Sequence, residues 1–220
     1  MGRASRKDSS YICKNIIMQN NLQQLYGNID IYLFDQLLKG RFDNCKRIID
    51  VGVGGARNLH YFLQNGYEVY GIDPNPEAVE NGRRLSAALA PENPLSNFVT
   101  ATAEELPFPD DYFDLSICSA VLHFASSHEH FDAMLRSVWR TLKPGGYFFA
   151  RLASDIGIES LVQPLGNGVY LLPDGTNRYL VNQETLLQYT SALHGELFEP
   201  IKTTNVQNLR CMTTWCLRKK

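Results

Sequence analysis

A glycine-rich run near residue 50 and two acidic side chains beside it are the residues of this sequence best suited to binding a ligand. The run reads Asp50-Val-Gly-Val-Gly-Gly, and Asp73 ends the next predicted strand. A Cβ at Gly52 or Gly54 would occupy the space through which the backbone approaches a ligand. Asp50 suits a ligand with an ammonium group, and Asp73 can accept hydrogen bonds from both hydroxyls of a ribose. The pattern therefore predicts a site for a nucleoside-bearing ligand.

Alternating strands and helices position these residues. Apolar runs predict strands, which cover residues 47–51, 67–72, 97–101, 113–118 and 147–152. Helices are predicted over residues 76–89, with Asn75 as the cap and Pro76 at the first helical position, and over residues 130–142, ended by Lys143-Pro-Gly-Gly146. This alternation predicts an α/β fold, with a parallel sheet and helices on both of its faces.

The pattern changes after Ala153. A hairpin is predicted around Pro173-Asp174-Gly175, and two closing strands turn at Gln207-Asn208. The closing strands must run antiparallel, because a parallel pair needs a long crossover. We expect a loose arm over residues 1–21 and one domain over residues 22–220, with an insertion near residues 155–180.

Composition narrows the class of partner. The chain has 220 residues and a formal net charge of −2, so no basic field favours nucleic acid, and a small-molecule partner is expected. No apolar run approaches membrane-spanning length and no secretory signal pattern occurs, which predicts a cytoplasmic protein without a membrane contact. Five cysteines without a CxxC pair predict reduced thiols and no metal site. The oligomeric state is not predicted.

The glycine-rich run does not fit a dinucleotide-binding loop. A GxGxxG pattern that starts at Gly52 would need a glycine at position 57, where Arg57 stands. A nicotinamide-dependent dehydrogenase is therefore a weaker hypothesis, which NAD binding would support.

Several ordered blocks together resemble the class I S-adenosylmethionine-dependent methyltransferases, in particular the compact small-molecule branch that includes type 11 and tellurite-resistance-like enzymes. The blocks are residues 50–55, Asp73, residues 102–111, residues 113–115, residues 121–123 and residues 142–146. The resemblance covers Leu22 to the C-terminus. It implies a Rossmann-like, doubly wound, seven-stranded and mostly parallel sheet with an antiparallel C-terminal hairpin.

The resemblance also implies a cofactor, S-adenosylmethionine, and S-adenosylhomocysteine as its product. Gly52 and Gly54 would face the methionine and ribose part, while Asp73, beside Pro74, would hold the ribose hydroxyls. The remaining cofactor-binding residues implied are Asp50, Thr102, Ala103, Glu104 and Ser119. Ala103 would meet the adenine edge through its backbone N–H, and Ser119 would lie near the methionine amine.

Two positions depart from the family pattern. Ala56 replaces the common last glycine of the loop, and Thr102 replaces an aspartate that often binds the adenine amino group. The contact to that amino group must then come from the Thr102 hydroxyl, a backbone carbonyl or Glu104.

Methyl transfer from a sulfonium is an in-line displacement, so positioning supplies most of the acceleration and a base is needed only if the nucleophile carries a proton. His123, just past the fourth strand, is the candidate catalytic base, and an ordinary hydrogen-bonded imidazole is the alternative. A non-catalytic protein that keeps the fold as a scaffold or binding subunit is a further alternative.

The acceptor pocket is expected to include Tyr26, His123 and Arg151. Tyr26 is either a lid over the cofactor or a packed helix aromatic. Arg151 and Arg178 either bind an anionic acceptor or lie solvated on the surface. Relatives of this compact kind methylate tellurite, thiopurine, arsenic, halide and carboxylate acceptors, and the sequence singles out none of them.

Overall fold

The structure, a computed structural model, describes residues 21–220. The predicted arm lies outside them except for residue 21, which begins a helix. The helices are α1 (Asn21–Tyr26), α2 (Ile31–Leu38), α3 (His60–Gln64), α4 (Pro76–Leu89), α5 (His128–Thr141) and α6 (Gln183–Ala192). The strands are β1 (Arg47–Val51), β2 (Glu68–Asp73), β3 (Phe98–Thr100), β4 (Phe113–Ser119), β5 (Leu142–Ser154), β6 (Gln163–Gly166), β7 (Val169–Leu171), β8 (Asn177–Tyr179), β9 (Gly195–Leu197), β10 (Lys202–Val206) and β11 (Arg210–Lys219).

The main sheet has the strand order β10-β11-β5-β4-β1-β2-β3. Strands β1 to β5 pair in parallel, whereas β11 runs antiparallel to both β5 and β10. The short β9 adds to β11, with Leu217 opposite Leu197. The predicted Rossmann-like, mostly parallel sheet with an antiparallel C-terminal hairpin is therefore confirmed.

The order reverses next to β1, which has β2 on one side and β4 on the other. In open α/β sheets, ligands bind at the carboxyl ends of the strands beside such a switch point. The fold thus places the ends of β1, β2 and β4 around one crevice.

Side-chain caps begin the helices where the sequence supplies them. Asn75 accepts a hydrogen bond from the Glu77 amide at 3.0 Å, with Pro76 at the first helical position, as predicted. Helix α5 starts at His128 rather than at the predicted residue 130, because Ser127 caps it through the His130 amide.

The predicted turn over residues 143–146 needs correction. Helix α5 ends at Thr141, and Leu142 already pairs with Phe113, so the Lys143-Pro-Gly-Gly146 run forms the irregular first part of β5. Pairing resumes with Leu115 opposite Tyr147, and Gly145 adopts a φ of +79° within this irregularity.

Residues 155–180 carry a small antiparallel sheet of their own, β6-β7-β8. The predicted hairpin is confirmed, since Val169 pairs with Tyr179 and Leu171 with Asn177. The sheet packs onto the main domain, because Tyr179 stacks on Phe131 of α5 with ring centroids 4.7 Å apart. That this segment is an insertion remains a prediction.

Apolar side chains are buried on both faces of the main sheet. One large cluster includes Phe131, Leu135 and Trp215, and the other includes Phe62, Phe98 and Phe149. The four cysteines at positions 45, 118, 211 and 216 are buried free thiols, and Cys13 lies outside the described residues. Over residues 21–220, the helices are too short or too polar to cross a bilayer.

Two glycines let α4 approach the sheet near the crevice. A Cβ on Gly82 of α4 would come within 2.6 Å of the Phe98 ring, and a Cβ on Gly71 of β2 would come within 2.5 Å of Val53. Because Phe98 and Val53 are fully packed, they have little room to move.

We expect Gly82→Ala to lower the free energy of unfolding by about 1–2 kcal/mol, since overpacking of about 2–3 kcal/mol outweighs the roughly 1 kcal/mol that alanine gains in a helix. Urea denaturation measures this loss. Gly55→Ala is the control, because no atom lies within 4 Å of a Cβ there and its φ is not positive, so its stability should stay within about 0.5 kcal/mol of wild type. A Gly82→Ala protein as stable as Gly55→Ala would contradict the packing argument.

Candidate active site

A cavity of about 510 Å³ opens at the carboxyl ends of β1, β2 and β4. This volume lies within the usual range of small-molecule sites. Eight of the nine predicted cofactor-binding residues line it: Gly52, Gly54, Asp73, Pro74, Thr102, Ala103, Glu104 and Ser119. The fold therefore brings together residues that lie far apart in the sequence, although their contacts with a cofactor stay predictions.

Asp73 organises the glycine-rich loop. Its carboxylate accepts hydrogen bonds from the amide of Gly54 at 3.0 Å and from the amide of Asn75 at 2.9 Å. These bonds tie the loop after β1 to the loop after β2 and fix the carboxylate at the rim of the cavity.

The two loop glycines are needed for different reasons. Gly52 has a φ of +81°, and a Cβ there would meet Val121 at 2.5 Å rather than intrude on ligand space, which corrects the sequence interpretation. At Gly54 the nearest heavy atom to such a Cβ is 4.0 Å away, so this position borders open space. Of these two glycines, only Gly54 therefore leaves space for a ligand, which the sequence had predicted for both.

Asp50 lies beneath the cavity rather than on its lining. It is buried, and one carboxylate oxygen has no hydrogen-bond partner among residues 21–220. Burial raises the pKa of Asp50 well above its usual range, and the positive charge of Arg57 only partly opposes this effect. An unpartnered buried carboxyl below a glycine loop fits a ligand that brings a donor or a positive charge.

Asp30 is a site residue to which sequence reasoning gave no role of its own. Its side chain is 1% exposed, and one oxygen accepts from Arg57 at 3.2 Å, Ser119 Oγ at 3.2 Å and Arg151 at 3.4 Å. The other oxygen caps α2 through the amide of Tyr32. An acidic residue directly before a helical run was the available signal, but it indicates only a cap.

Phe124, His130 and Met134 are among the further residues that line the cavity. The His130 Nε2 lies 3.6 Å from the Glu104 carboxylate. Phe124 is 60% exposed, which is unusual for so large an apolar side chain. An exposed aromatic ring therefore forms part of the cavity wall.

A second cavity of about 270 Å³ adjoins the first, and Ala120 lines both. Ala120 follows β4 with a φ of +64°, and its amide donates to the carbonyl of Arg151 at 2.7 Å. This conformation is uncommon for a residue with a Cβ and marks a constrained turn. The turn separates a cofactor-sized space from a smaller one.

His123 lies in the second cavity, not the first. Its Nδ1 accepts a hydrogen bond from the amide of Ala153 at 3.1 Å, so the neutral ring carries its proton on Nε2. Burial, together with the smaller effect of the charges of Arg178, Arg151 and Arg210, lowers the pKa of His123 to about 4. At neutral pH this imidazole is an N–H donor toward the cavity.

The two other residues predicted for the acceptor pocket, Arg151 and Tyr26, lie in different parts of the structure. Arg151 lines the second cavity beside His123. Tyr26 lines neither cavity; it stacks on Tyr61 with ring centroids 5.4 Å apart and contacts Phe34 edge-on at 4.6 Å. Its position matches the alternative reading, a packed helix aromatic.

Comparison with known families and structures agrees with this geometry. The family model described as "Methyltransferase domain" matches residues 49–150, which hold the glycine loop, Asp73 and the turn at Ala120. Residues 49–150 are therefore a methyltransferase domain. The domain thus includes every residue that lines the larger cavity, whereas Arg151, Arg178 and Arg210 of the smaller cavity lie beyond it.

Curated relatives are similar over about half of this chain. The uncharacterized methyltransferase sll0829 of Synechocystis is 33% identical over 103 residues, which is 47% of this chain and 45% of that protein. A fatty-acid O-methyltransferase of Mycolicibacterium smegmatis is 36% identical over 107 residues, 47% of this chain and 35% of that protein. The chain spans less than half the length of these relatives.

Solved structures share the fold over most of the chain. The PH0226 protein of Pyrococcus horikoshii has a TM-score of 0.66 at 14% identity and covers 91% of this chain and 97% of its own. The 1,6-didemethyltoxoflavin-N1-methyltransferase of Burkholderia thailandensis, solved with S-adenosylhomocysteine, has a TM-score of 0.61 at 16% identity and covers 100% and 92%. At these identities the similarity establishes the fold.

The environment of His123 predicts a pH dependence of stability. The folded pKa of about 4 lies below the unfolded value near 6.5, so the unfolded chain binds more protons between these pH values and stability falls as the pH falls through that window. Between pH 7 and pH 5, we expect His123 to cost wild type about 2 kcal/mol of the free energy of unfolding.

Urea denaturation at both pH values checks this, with His123→Asn as the comparison. Asparagine can accept the Ala153 amide hydrogen bond but does not titrate in this range. The variant should lose less stability than wild type on acidification. Equal losses would contradict a buried neutral His123.

Proposed function

We propose that this protein transfers a methyl group from S-adenosylmethionine to a small-molecule acceptor. The observation that carries the proposal is that two neighbouring cavities share Ala120 as a lining residue. The larger lies within the methyltransferase domain and has room for a cofactor, and the other is smaller. Methyl transfer needs the donor and the acceptor side by side, with water excluded from the point of contact.

The residues present fit the cofactor. The open space at Gly54, the unpartnered oxygen of buried Asp50 and the rim carboxylate of Asp73 offer complementary surfaces for a cationic nucleoside. The cofactor, when bound, supplies an electrophilic methyl group on a positively charged sulfur. The protein itself has to bind, orient and shield.

Asp30 contributes to positioning the two reactants, because it connects the walls of the two cavities. Asp30 holds Ser119 and Arg57 on the larger cavity and Arg151 on the smaller one through a single carboxylate oxygen. A shift in the wall of one cavity would therefore move the wall of the other cavity. Such coupling fits a reaction whose acceleration comes from alignment.

A small acceptor fits the dimensions and the exposed residues. The volume of the second cavity, about 270 Å³, is below the usual volume of drug-sized sites. The net charge of −2 provides no overall positive field to attract nucleic acid. The similar M. smegmatis protein is named for a fatty acid acceptor and the similar B. thailandensis protein for a heterocyclic one. Both are small molecules.

His123 acts in this proposal as a positioning donor rather than as the general base. Its Nδ1 is occupied by the Ala153 amide, and its Nε2 carries the proton, so neither nitrogen can take a proton from the acceptor at neutral pH. The sequence hypothesis of a catalytic base at His123 is not part of the proposed mechanism.

Titration calorimetry tests the cofactor assignment directly. We expect wild type to bind S-adenosylhomocysteine, and Asp73→Ala to bind it about ten- to a hundredfold more weakly, because a charge-assisted acceptor for the ribose is lost. Glu77→Ala is the control, since this exposed carboxylate lies in the first turn of α4 and does not line the cavity.

The same titration separates the competing functions. An absence of heat with both S-adenosylmethionine and S-adenosylhomocysteine would favour a non-catalytic scaffold, and binding of NAD in their place would favour a dehydrogenase. Unchanged affinity in Asp73→Ala would remove Asp73 from the site. Release of S-adenosylhomocysteine in an acceptor screen then reports turnover.

A further inference from the structure

The second cavity has a strongly positive lining. Three arginines, Arg151, Arg178 and Arg210, face one carboxylate, Asp174. They come from three separate strands, β5, β8 and β11, so only the folded chain assembles them. A concentration of positive charge in a protein with a net charge of −2 indicates a specific local role.

These arginines keep unused hydrogen-bonding capacity. Arg178 forms no ion pair with a carboxylate of residues 21–220, and its guanidinium stacks 4.8 Å from the ring centre of Phe124. Arg151 reaches Asp30 through its Nη1 at 3.4 Å. Among residues 21–220, the Arg178 side chain donates only to the Asn177 carbonyl, so it retains donors for an added acceptor.

The single carboxylate of the lining is already engaged. Asp174 accepts hydrogen bonds from the amide and the hydroxyl of Thr176, at 3.0 and 2.6 Å, and lies 3.6 Å from Arg210. It therefore cannot neutralise all three guanidinium groups. His123 adds a fourth donor through its Nε2–H.

We propose that the acceptor carries an anionic oxygen group, a carboxylate or a phosphate, which Arg151, Arg178 and Arg210 bind in the second cavity with His123 as a further donor. This inference rests on the proposed methyltransferase function. Guanidinium groups match both oxyanions geometrically and bind them through charge-assisted hydrogen bonds.

An anionic acceptor also explains how the site works without a base. Where the bound oxygen itself takes the methyl group, an oxygen lone pair forms the new O–C bond while the methyl–sulfur bond breaks and its electron pair stays on sulfur. The negative charge of the oxygen and the positive charge of the sulfonium are both neutralised. No proton is released, so no residue has to accept one.

Binding of simple probes tests the proposal in the presence of S-adenosylhomocysteine. The probes are benzoate, inorganic phosphate and uncharged benzamide, titrated at constant ionic strength in a phosphate-free buffer and followed by ligand-observed NMR. We expect saturable binding of at least one anion and at least tenfold weaker binding of benzamide. A preference for benzoate or for phosphate identifies which oxyanion the acceptor carries.

The variants Arg178→Gln and Arg210→Gln should each weaken anion binding about tenfold, as expected for the loss of one charge-assisted contact. Arg136→Gln is the matched control, because it removes the same charge from an exposed position on α5 where Arg136 pairs with Asp132. Its anion affinity should stay within about twofold of wild type. Unchanged S-adenosylhomocysteine affinity in all three variants shows that they fold.

The failure of this inference is distinguishable from failure of the proposed function. Saturable binding of neither anion, equal binding of benzamide, or an Arg178→Gln variant that binds anions as well as Arg136→Gln would overturn the anionic acceptor, whatever S-adenosylhomocysteine does. Absence of S-adenosylhomocysteine binding would instead overturn the methyltransferase function. In that case, anion binding measured without it would still decide whether the arginines form an oxyanion site.

Discussion

One buried carboxylate, that of Asp30, connects the N-terminal helices to both cavities. It caps α2 with one oxygen and meets Arg57, Ser119 and Arg151 with the other. Removing one partner from a buried ionic cluster leaves an uncompensated charge, which costs about 3–5 kcal/mol. The contact of Tyr32 with Thr204 secures the same helix to β10. The walls of the site therefore depend on how α2 packs against the sheet, and Asp30 joins that helix directly to residues of both cavities.

The elements that carry local signals could be predicted from the sequence. The strands on both sides of the glycine loop, the Asn75 cap with Pro76 and the hairpin around Asp174 all appear where expected. Each signal lies within a few residues of the feature it specifies, so tertiary packing did not need to be known. Two features differ from the prediction. The start of α5 is set by the cap at Ser127, and the irregular start of β5 is set by the pairing of Leu142 with Phe113. The second of these is a contact between distant residues.

The residues of the site fall into the same two groups: those that a local sequence signal predicts and those that only the folded chain brings together. Gly54 and Asp73 belong to one short motif, and their approach follows from parallel strands that end at the same edge. The contact of Asp30 with Arg151 joins residues 121 positions apart, and no periodic pattern marks it. Arg57 entered the sequence reasoning only as an obstacle to dinucleotide binding, although in the fold it is the partner that Asp30 requires. Residue types alone therefore pointed to the lining of the larger cavity better than to the contacts between the two cavities.

His123 shows why residue type and position together do not establish a catalytic role. Its place after β4 is that of a site residue, and an isolated imidazole would titrate near neutral pH. The amide of Ala153 fixes the proton on the opposite nitrogen, while burial and three arginines oppose a second proton. The same surroundings that make the ring a poor base make it a good donor to an anion. Chemistry at this position is thus set by the charges that β5, β8 and β11 bring around it, and these appear only when the strands are assembled.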